Sequence, residues 1–239
     1  MRIRIAELIS GTEQPVGEGV TAPCRAILKL DGQLLNGIVK SISIEQITAE
    51  CLCATLLRGW GLPVPEPVIV DGSPIKFASV ELKFPNLKHA LGYTNNMHPE
   101  EVEVLLKYCK ELLSRAPQTP DLIACDEAIG NFDRNLGNIL WDGKDMYFID
   151  HERALGLGDS PDANKIAALV IDSQNLTEIK QSAVAKALTL NCDLMKSIDC
   201  NKIDVNIFAD YLNNRIRLVA SKVIARFPKP ADLLSNLPS

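Results

Sequence analysis

The stretch from residue 131 to 152 constrains this chain most. A loop rich in Asp, Asn and Gly, Asn131-Phe132-Asp133-Arg134-Asn135-Leu136-Gly137-Asn138, leads into an apolar run ending at Trp141. The turn Asp142-Gly143-Lys144-Asp145 follows, and a second apolar run returns through Met146 and Phe148 to Asp150-His151-Glu152. Two short β-rich runs about a polar, glycine-bearing connection predict a β-hairpin over 138–150. With the turn at 142–145, Trp141 faces Met146, and counting outward brings Asn138 near Ile149. Asn138 and Asp150 therefore reach the same end of the hairpin. A four-residue loop sets Gly137 opposite Asp150, whereas an odd loop or a bulge puts Asn138 and Asp150 on one side. Both registers stay open.

Asn138 and Asp150 offer hard oxygen donors of the kind magnesium takes when it also binds substrate phosphates. Asp133, five residues before Asn138, is placed to orient or deprotonate an attacking hydroxyl. An Asp, an Asn five residues on, and a strand-terminal Asp form the layout of phosphoryl transfer. Turn chemistry alone accounts for Asp142 and Asp145, and each of the other three taken singly is equally at home in a turn. Their combination with the hairpin favours a site built from catalytic Asp133 and metal-binding Asn138 and Asp150.

Upstream, Lys40 ends the apolar run 35–39, where an unpaired charge is costly to bury. Glu50 falls in the middle of the next predicted helix and is its expected partner, an ion pair that organises nucleotide phosphates. The loop 11–23 carries Gly11, Gly17 and Gly19, and its backbone N–H groups suit an anion. It lacks a clean G-x-G-x-x-G and contains Glu13 and Glu18. The stretch 77–82 ends the last predicted strand, and the backbone of Val80, Glu81 and Leu82 is the expected contact for an adenine.

The rest of the chain fits two regions. Residues 2–8, 24–30 and 35–42 read as strands, with Asp31-Gly32 as a turn, followed by a helix over 45–60 and strands at 68–70 and 75–81. Beyond them, helices are expected at 99–114, 122–129, 163–171, 178–188 and 205–227. The division expected is a β-rich nucleotide-binding lobe over 1–85 and a mainly helical catalytic lobe over 86–239, with the boundary inside 83–98. The formal charge of −5 argues against non-specific nucleic-acid binding. The N-terminus lacks the pattern of a signal peptide, and no apolar run is long enough to span a membrane. The seven cysteines form no C-x-x-C pair and lie mostly among apolar residues, which suggests reduced thiols in the cytoplasm. Only three histidines are present, which argues against a zinc site.

Asn131-Phe132-Asp133-Arg134-Asn135-Leu136-Gly137-Asn138 with Phe148-Ile149-Asp150-His151 resembles the catalytic segment of HipA-like kinases and is similar to the D-R-H-x-x-N loop of the phosphatidylinositol kinases. Gly37-Ile38-Val39-Lys40, Glu50 and Gly61-Leu62-Pro63-Val64-Pro65 resemble the N-lobe of the compact HipA-like group. The resemblance covers about residues 17–155 and implies an α+β, two-lobed protein-kinase-like fold with ATP and Mg2+ between the lobes. It implies Lys40 as the phosphate lysine, Glu50 as its partner, Asp133 as the catalytic acid, and Asn138 and Asp150 as magnesium ligands. Asn135 stands where many relatives have His, and His151-Glu152 follow Asp150 in place of Phe-Gly. Arg134 has two readings, a phosphate contact or an ion pair with Asp126 or Glu127.

The function expected is an ATP- and magnesium-dependent phosphotransferase acting on a protein Ser/Thr hydroxyl. The rivals are a binding module that kept the fold without turnover, a small-molecule kinase of the aminoglycoside-phosphotransferase type, and a metal-dependent hydrolase. The last leaves Lys40 and Glu50 unexplained.

Overall fold

The structure, a computed structural model, describes residues 1–17 and 21–228. Strands β1 (Arg4–Leu8), β2 (Gln14–Pro15), β3 (Cys24–Leu30), β4 (Gln33–Lys40), β5 (Pro67–Val70) and β6 (Lys76–Val80) form one sheet in the order β1-β5-β6-β4-β3-β2. β1 also pairs with β3, so five of the strands close into a ring; β1 and β5 run parallel and the other pairs antiparallel. Asp31 and Gly32, both at positive φ, make the tight β3–β4 turn that their sequence predicts.

Strand alternation sorts the side chains. Ala6, Ala26, Leu28, Leu30, Val39, Val68, Val70 and Ala78 pack together in one buried cluster. Gly37 makes room there, since a Cβ at that position would lie 2.4 Å from Leu28 Cδ1. Ile69 and Phe77 face the other way, against Ile47 and Cys51 of helix α1 (Ile44–Gly59). The Ser43 and Gln46 capping box starts α1, and Gly61 at φ 94 follows its end. Leu52, Cys53, Leu56 and Leu57 of the same helix enter the large apolar cluster of the helical half. α1 is thus buried on both sides, which is why its sequence is apolar nearly all round.

The helical half comprises α2 (Leu87–Ala90), α3 (Pro99–Arg115), α4 (Thr119–Ile129), α5 (Lys165–Leu169), α6 (Leu176–Thr189), α7 (Ala209–Ile216) and α8 (Val219–Ala225). The hairpin β7 (Ile139–Trp141) and β8 (Met146–Phe148) lies between α4 and α5. α4 is buried along most of its length and packs on α5, α6, α7 and α8. The segment linking the sheet to the helices rests on the hairpin: Trp141 N–H donates to Pro85 O at 3.0 Å, and Phe84 stacks on Tyr147.

One expected element differs. The continuous helix over 205–227 is instead a 3-10 turn (Val205–Phe208) followed by α7 and α8, which break at Arg217 and Leu218. Arg215 and Arg226 both bind the buried Glu127 carboxylate, at 3.0 and 2.6 Å. On one straight helix they would stand about 16 Å apart along the axis and could not share it. Cys51, Cys53, Cys109 and Cys125 are buried free thiols, while Cys24, Cys192 and Cys200 are half-buried. Among the described residues no helix is long and apolar enough to cross a membrane.

Candidate active site

Helix α4 ends at Gly130, whose left-handed φ of 66 turns the chain into the Asp133 loop. Asn135 Oδ1 accepts from Gly137 N–H at 2.8 Å, and Asn138 N–H returns to Asn135 O at 3.0 Å, so the loop closes on itself. In the hairpin Trp141 opposes Met146 and Ile139 opposes Phe148, and Ile149 N–H donates to Asn138 O at 3.1 Å. The register is the even one, with Asn138 facing Ile149. Neither an odd loop nor a bulge redirects Asp150; its own backbone does, at φ 67. Asp is among the few non-glycine residues that tolerate this region, and such strain concentrates at functional positions.

Arg134 is resolved in favour of the ion pair. It is fully buried, and its Nε and Nη2 hold the two Asp126 oxygens at 3.1 and 3.0 Å. Its Nη1 donates to Ile149 O at 2.6 Å and Asn138 O at 3.3 Å, so one guanidinium ties both hairpin strands to α4. Glu127, the other suggested partner, is taken by Arg215 and Arg226.

Two oppositely balanced charge clusters flank this clamp. In the first, Lys40 Nζ lies 2.7 Å from Glu50 Oε1, 2.6 Å from Asp150 Oδ1 and 3.0 Å from Glu152 Oε2. Burial pushes the Lys40 ammonium down, but Glu50, Asp150 and Glu152 outweigh it and hold its pKa above the ordinary lysine value. Burial pushes Glu50 up, and Lys40 with His151 bring it below the usual carboxylate range. Glu50 Oε2 accepts His151 N–H at 2.9 Å and faces its Nδ1 at 3.3 Å, so the residue after Asp150 also fixes the helix glutamate. Burial keeps His151 neutral, with its pKa lowered, and raises that of Glu152.

In the second cluster, Asp133 Oδ1 lies 3.0 Å from Lys165 Nζ and Oδ2 lies 3.5 Å from Arg153 Nη1. Asn138 Nδ2 donates to the backbone O of Asp133 at 3.4 Å, which ties Asn138 to the Asp133 loop. The backbone N–H groups of Val80 and Glu81 are engaged by Glu66 O and Asn36 O. The Glu81 side chain pairs with Arg25 at 2.6 Å, and Val80 and Leu82 line an open cavity of about 490 Å³ with Pro63, Pro65 and Tyr147. Gly19 lies outside the described residues.

Three site residues escape the sequence reading of the motifs. Glu152 was visible as a departure after Asp150, but not as a third carboxylate on Lys40. Arg153 and Lys165 carry no local signal, since Lys165 reaches Asp133 from a helix 32 residues downstream. The donor set suits a hard cation: oxygens of Glu50, Asp150 and Glu152 lie within 4.8 Å of one another. Glu50 is consumed by Lys40 and His151, which leaves Asp150 and Glu152 as the carboxylates able to turn toward a metal.

The profile of the HipA-like kinase family matches residues 14–200. A solved structure, the proinflammatory kinase CtkA of Helicobacter pylori, aligns with a TM-score of 0.54 over 95% of this chain and 98% of that chain, at 13% identity. At such identity the likeness speaks for the fold, which is the two-lobed kinase-like arrangement expected from the sequence. No curated protein matches. The matched segment takes in α1, the Asp133 loop and the whole hairpin of a 239-residue chain, and on that ground the chain belongs to the HipA-like kinase family.

Proposed function

We propose that this kinase moves the γ-phosphoryl group of ATP to a hydroxyl in a magnesium-dependent reaction, with a protein Ser/Thr side chain as acceptor. The observation that carries the reading is Lys40, held from the sheet side by Glu50 of α1 and from the hairpin side by Asp150. A strand lysine, a helix glutamate and a hairpin aspartate meeting at one point is what positioning of nucleotide phosphates requires.

The nucleotide belongs between the strand-rich residues 1–85 and the helical residues 86–239. The carbonyls of Val80 and Glu81 and the N–H of Leu82 are offered to the base. Lys40 engages phosphate oxygens, and Glu50 keeps its ammonium aimed. Asp150 and Asn138 hold magnesium, with Glu152 beside them; when bound, the ion neutralises phosphate charge. Asp133 orients the acceptor hydroxyl and takes its proton. The acceptor oxygen bonds to the γ-phosphorus as the bond to the β–γ bridging oxygen breaks, and that electron pair leaves with ADP. The buried thiols suit a reducing, cytoplasmic setting.

Thermal unfolding with and without magnesium and ATP tests the site, with Asp150→Ala as control. Ligand at 100 times its dissociation constant stabilises the native state by about 2.7 kcal/mol. A magnesium-dependent shift absent in Asp150→Ala is the expected result. No shift in the wild type at millimolar nucleotide would overturn the reading. Phosphoryl transfer to a Ser/Thr protein substrate, lost in Asp133→Ala, then tests the acceptor class.

A further inference from the structure

The two charge clusters are unequal in opposite senses. Around Lys40 one ammonium meets three carboxylates, and the excess negative charge suits a metal. Around Asp133 one carboxylate meets two cations, Lys165 and Arg153, and the excess there is positive. An excess cation at the place where the acceptor hydroxyl is activated has a use if an anion arrives, and in phosphoryl transfer the anion that arrives is the transferring group.

The other cations near this point are committed. Arg134, the sole cation of the loop from Asp133 to Asn138, is buried and spends its guanidinium on Asp126, Asn138 O and Ile149 O. Lys40 is taken by Glu50, Asp150 and Glu152. Lys165 and Arg153 remain, each about half-exposed. They differ in footing. Lys165 follows Asn164, a buried side chain that caps Ala167 N–H at 3.0 Å and donates to Ile123 O of α4 at 3.0 Å. Asp162, just upstream, is pinned by Lys222 and Arg226. Lys165 therefore projects from a backbone fixed on both sides, and its ammonium is the nearer of the two to Asp133. Arg153 projects from the turn after the hairpin and stands farther off.

We infer that Lys165 is the cation that meets the γ-phosphoryl group in transfer, and hence a further catalytic residue; this rests on the phosphotransferase reading above. In the free protein Lys165 is held against Asp133, and an arriving γ-phosphoryl group draws the ammonium to its own oxygens on binding, before the acceptor proton moves. A residue in this role distinguishes ATP from ADP, which lacks the γ-phosphoryl. A residue that only braces Asp133 does not.

The test is equilibrium binding by calorimetry of ATP and of ADP, each with magnesium, to the full chain and to Lys165→Met, Lys165→Arg and Arg153→Met. The expected result is that Lys165→Met loses about tenfold of the preference for ATP over ADP, the size of a charge-assisted hydrogen bond. ADP affinity should change by less than about twofold in that variant, because only the γ-phosphoryl contact is removed. Lys165→Arg should retain most of the preference. An unchanged preference in Lys165→Met would overturn the assignment, and an equal loss in Arg153→Met would overturn Lys165 as the residue concerned. Failure of the wild type to bind either nucleotide is a different result, which removes the phosphotransferase reading and this inference with it.

Discussion

At the scale of single residues, Arg134 is the most exacting side chain in the site. Removing it as Arg134→Met leaves Asp126 charged and buried, and the expected cost is about 3–5 kcal/mol by urea unfolding. A loss under 1 kcal/mol would mean that water reaches Asp126. Glu50 and Lys40 make an acid- and alkali-dependent pair. Glu50 is depressed in the fold, so its contribution is full above its ordinary value of 4.5 and drains away as pH falls below it. Lys40 is raised, so its contribution is full below 10.5 and is lost only as pH climbs beyond that. Glu50→Gln should therefore flatten the stability curve below about pH 4.5 relative to the wild type, as read by chemical unfolding at a series of pH values. The Lys40–Glu50 pair was legible because a lysine at the end of an apolar strand and a glutamate in the middle of the next helix are conspicuous where they fall. Glu152 and Lys165 were not, because only the folded chain brings them to Lys40 and Asp133. The sequence reading set Asn138 at the Asp150 end of the hairpin; there its side chain donates to the Asp133 backbone carbonyl, and its own carbonyl accepts from Ile149, the residue before Asp150.

At the scale of elements, α4 is the support of the Asp133 loop. Its Asp126 holds Arg134, and its Glu127 holds α7 and α8 through Arg215 and Arg226. Arg215 also lies over the ring of Phe132, the residue before Asp133, at 4.8 Å. Glu127→Ala leaves two arginines facing a vacated buried position, and about 3–5 kcal/mol should be lost. Hydrogen exchange should rise in α7, α8 and the Asp133 loop together; exchange confined to α8 would contradict the shared support. The hairpin and α1 were readable because turn residues and helical stops are local signals. The break between α7 and α8 was not, because it is imposed by a carboxylate nearly a hundred residues upstream.

At the scale of the whole molecule, α1 decides how the halves behave. Ile47 and Cys51 belong to the cluster against the sheet, and Leu52, Leu56 and Leu57 to the cluster of the helical half. Losing either half exposes one side of this helix, so calorimetric and circular-dichroism transitions of the nucleotide-free protein should coincide. Two separable transitions would show that α1 stays folded with one half alone. Leu52→Ala should cost about 2–5 kcal/mol and lower that single midpoint without splitting it. The kinase-like class was visible in the order of strands, helices and motif, whereas the closure of β1 onto both β3 and β5 was not. That closure joins residues distant in sequence, which hydrophobic alternation does not specify.

Asp150 holds a left-handed backbone that glycine or asparagine would accept with less strain. Either replacement lies one nucleotide change from an aspartate codon. Both would also take from Lys40 a carboxylate oxygen at 2.6 Å, so what the backbone gains at Asp150 the Lys40 cluster loses.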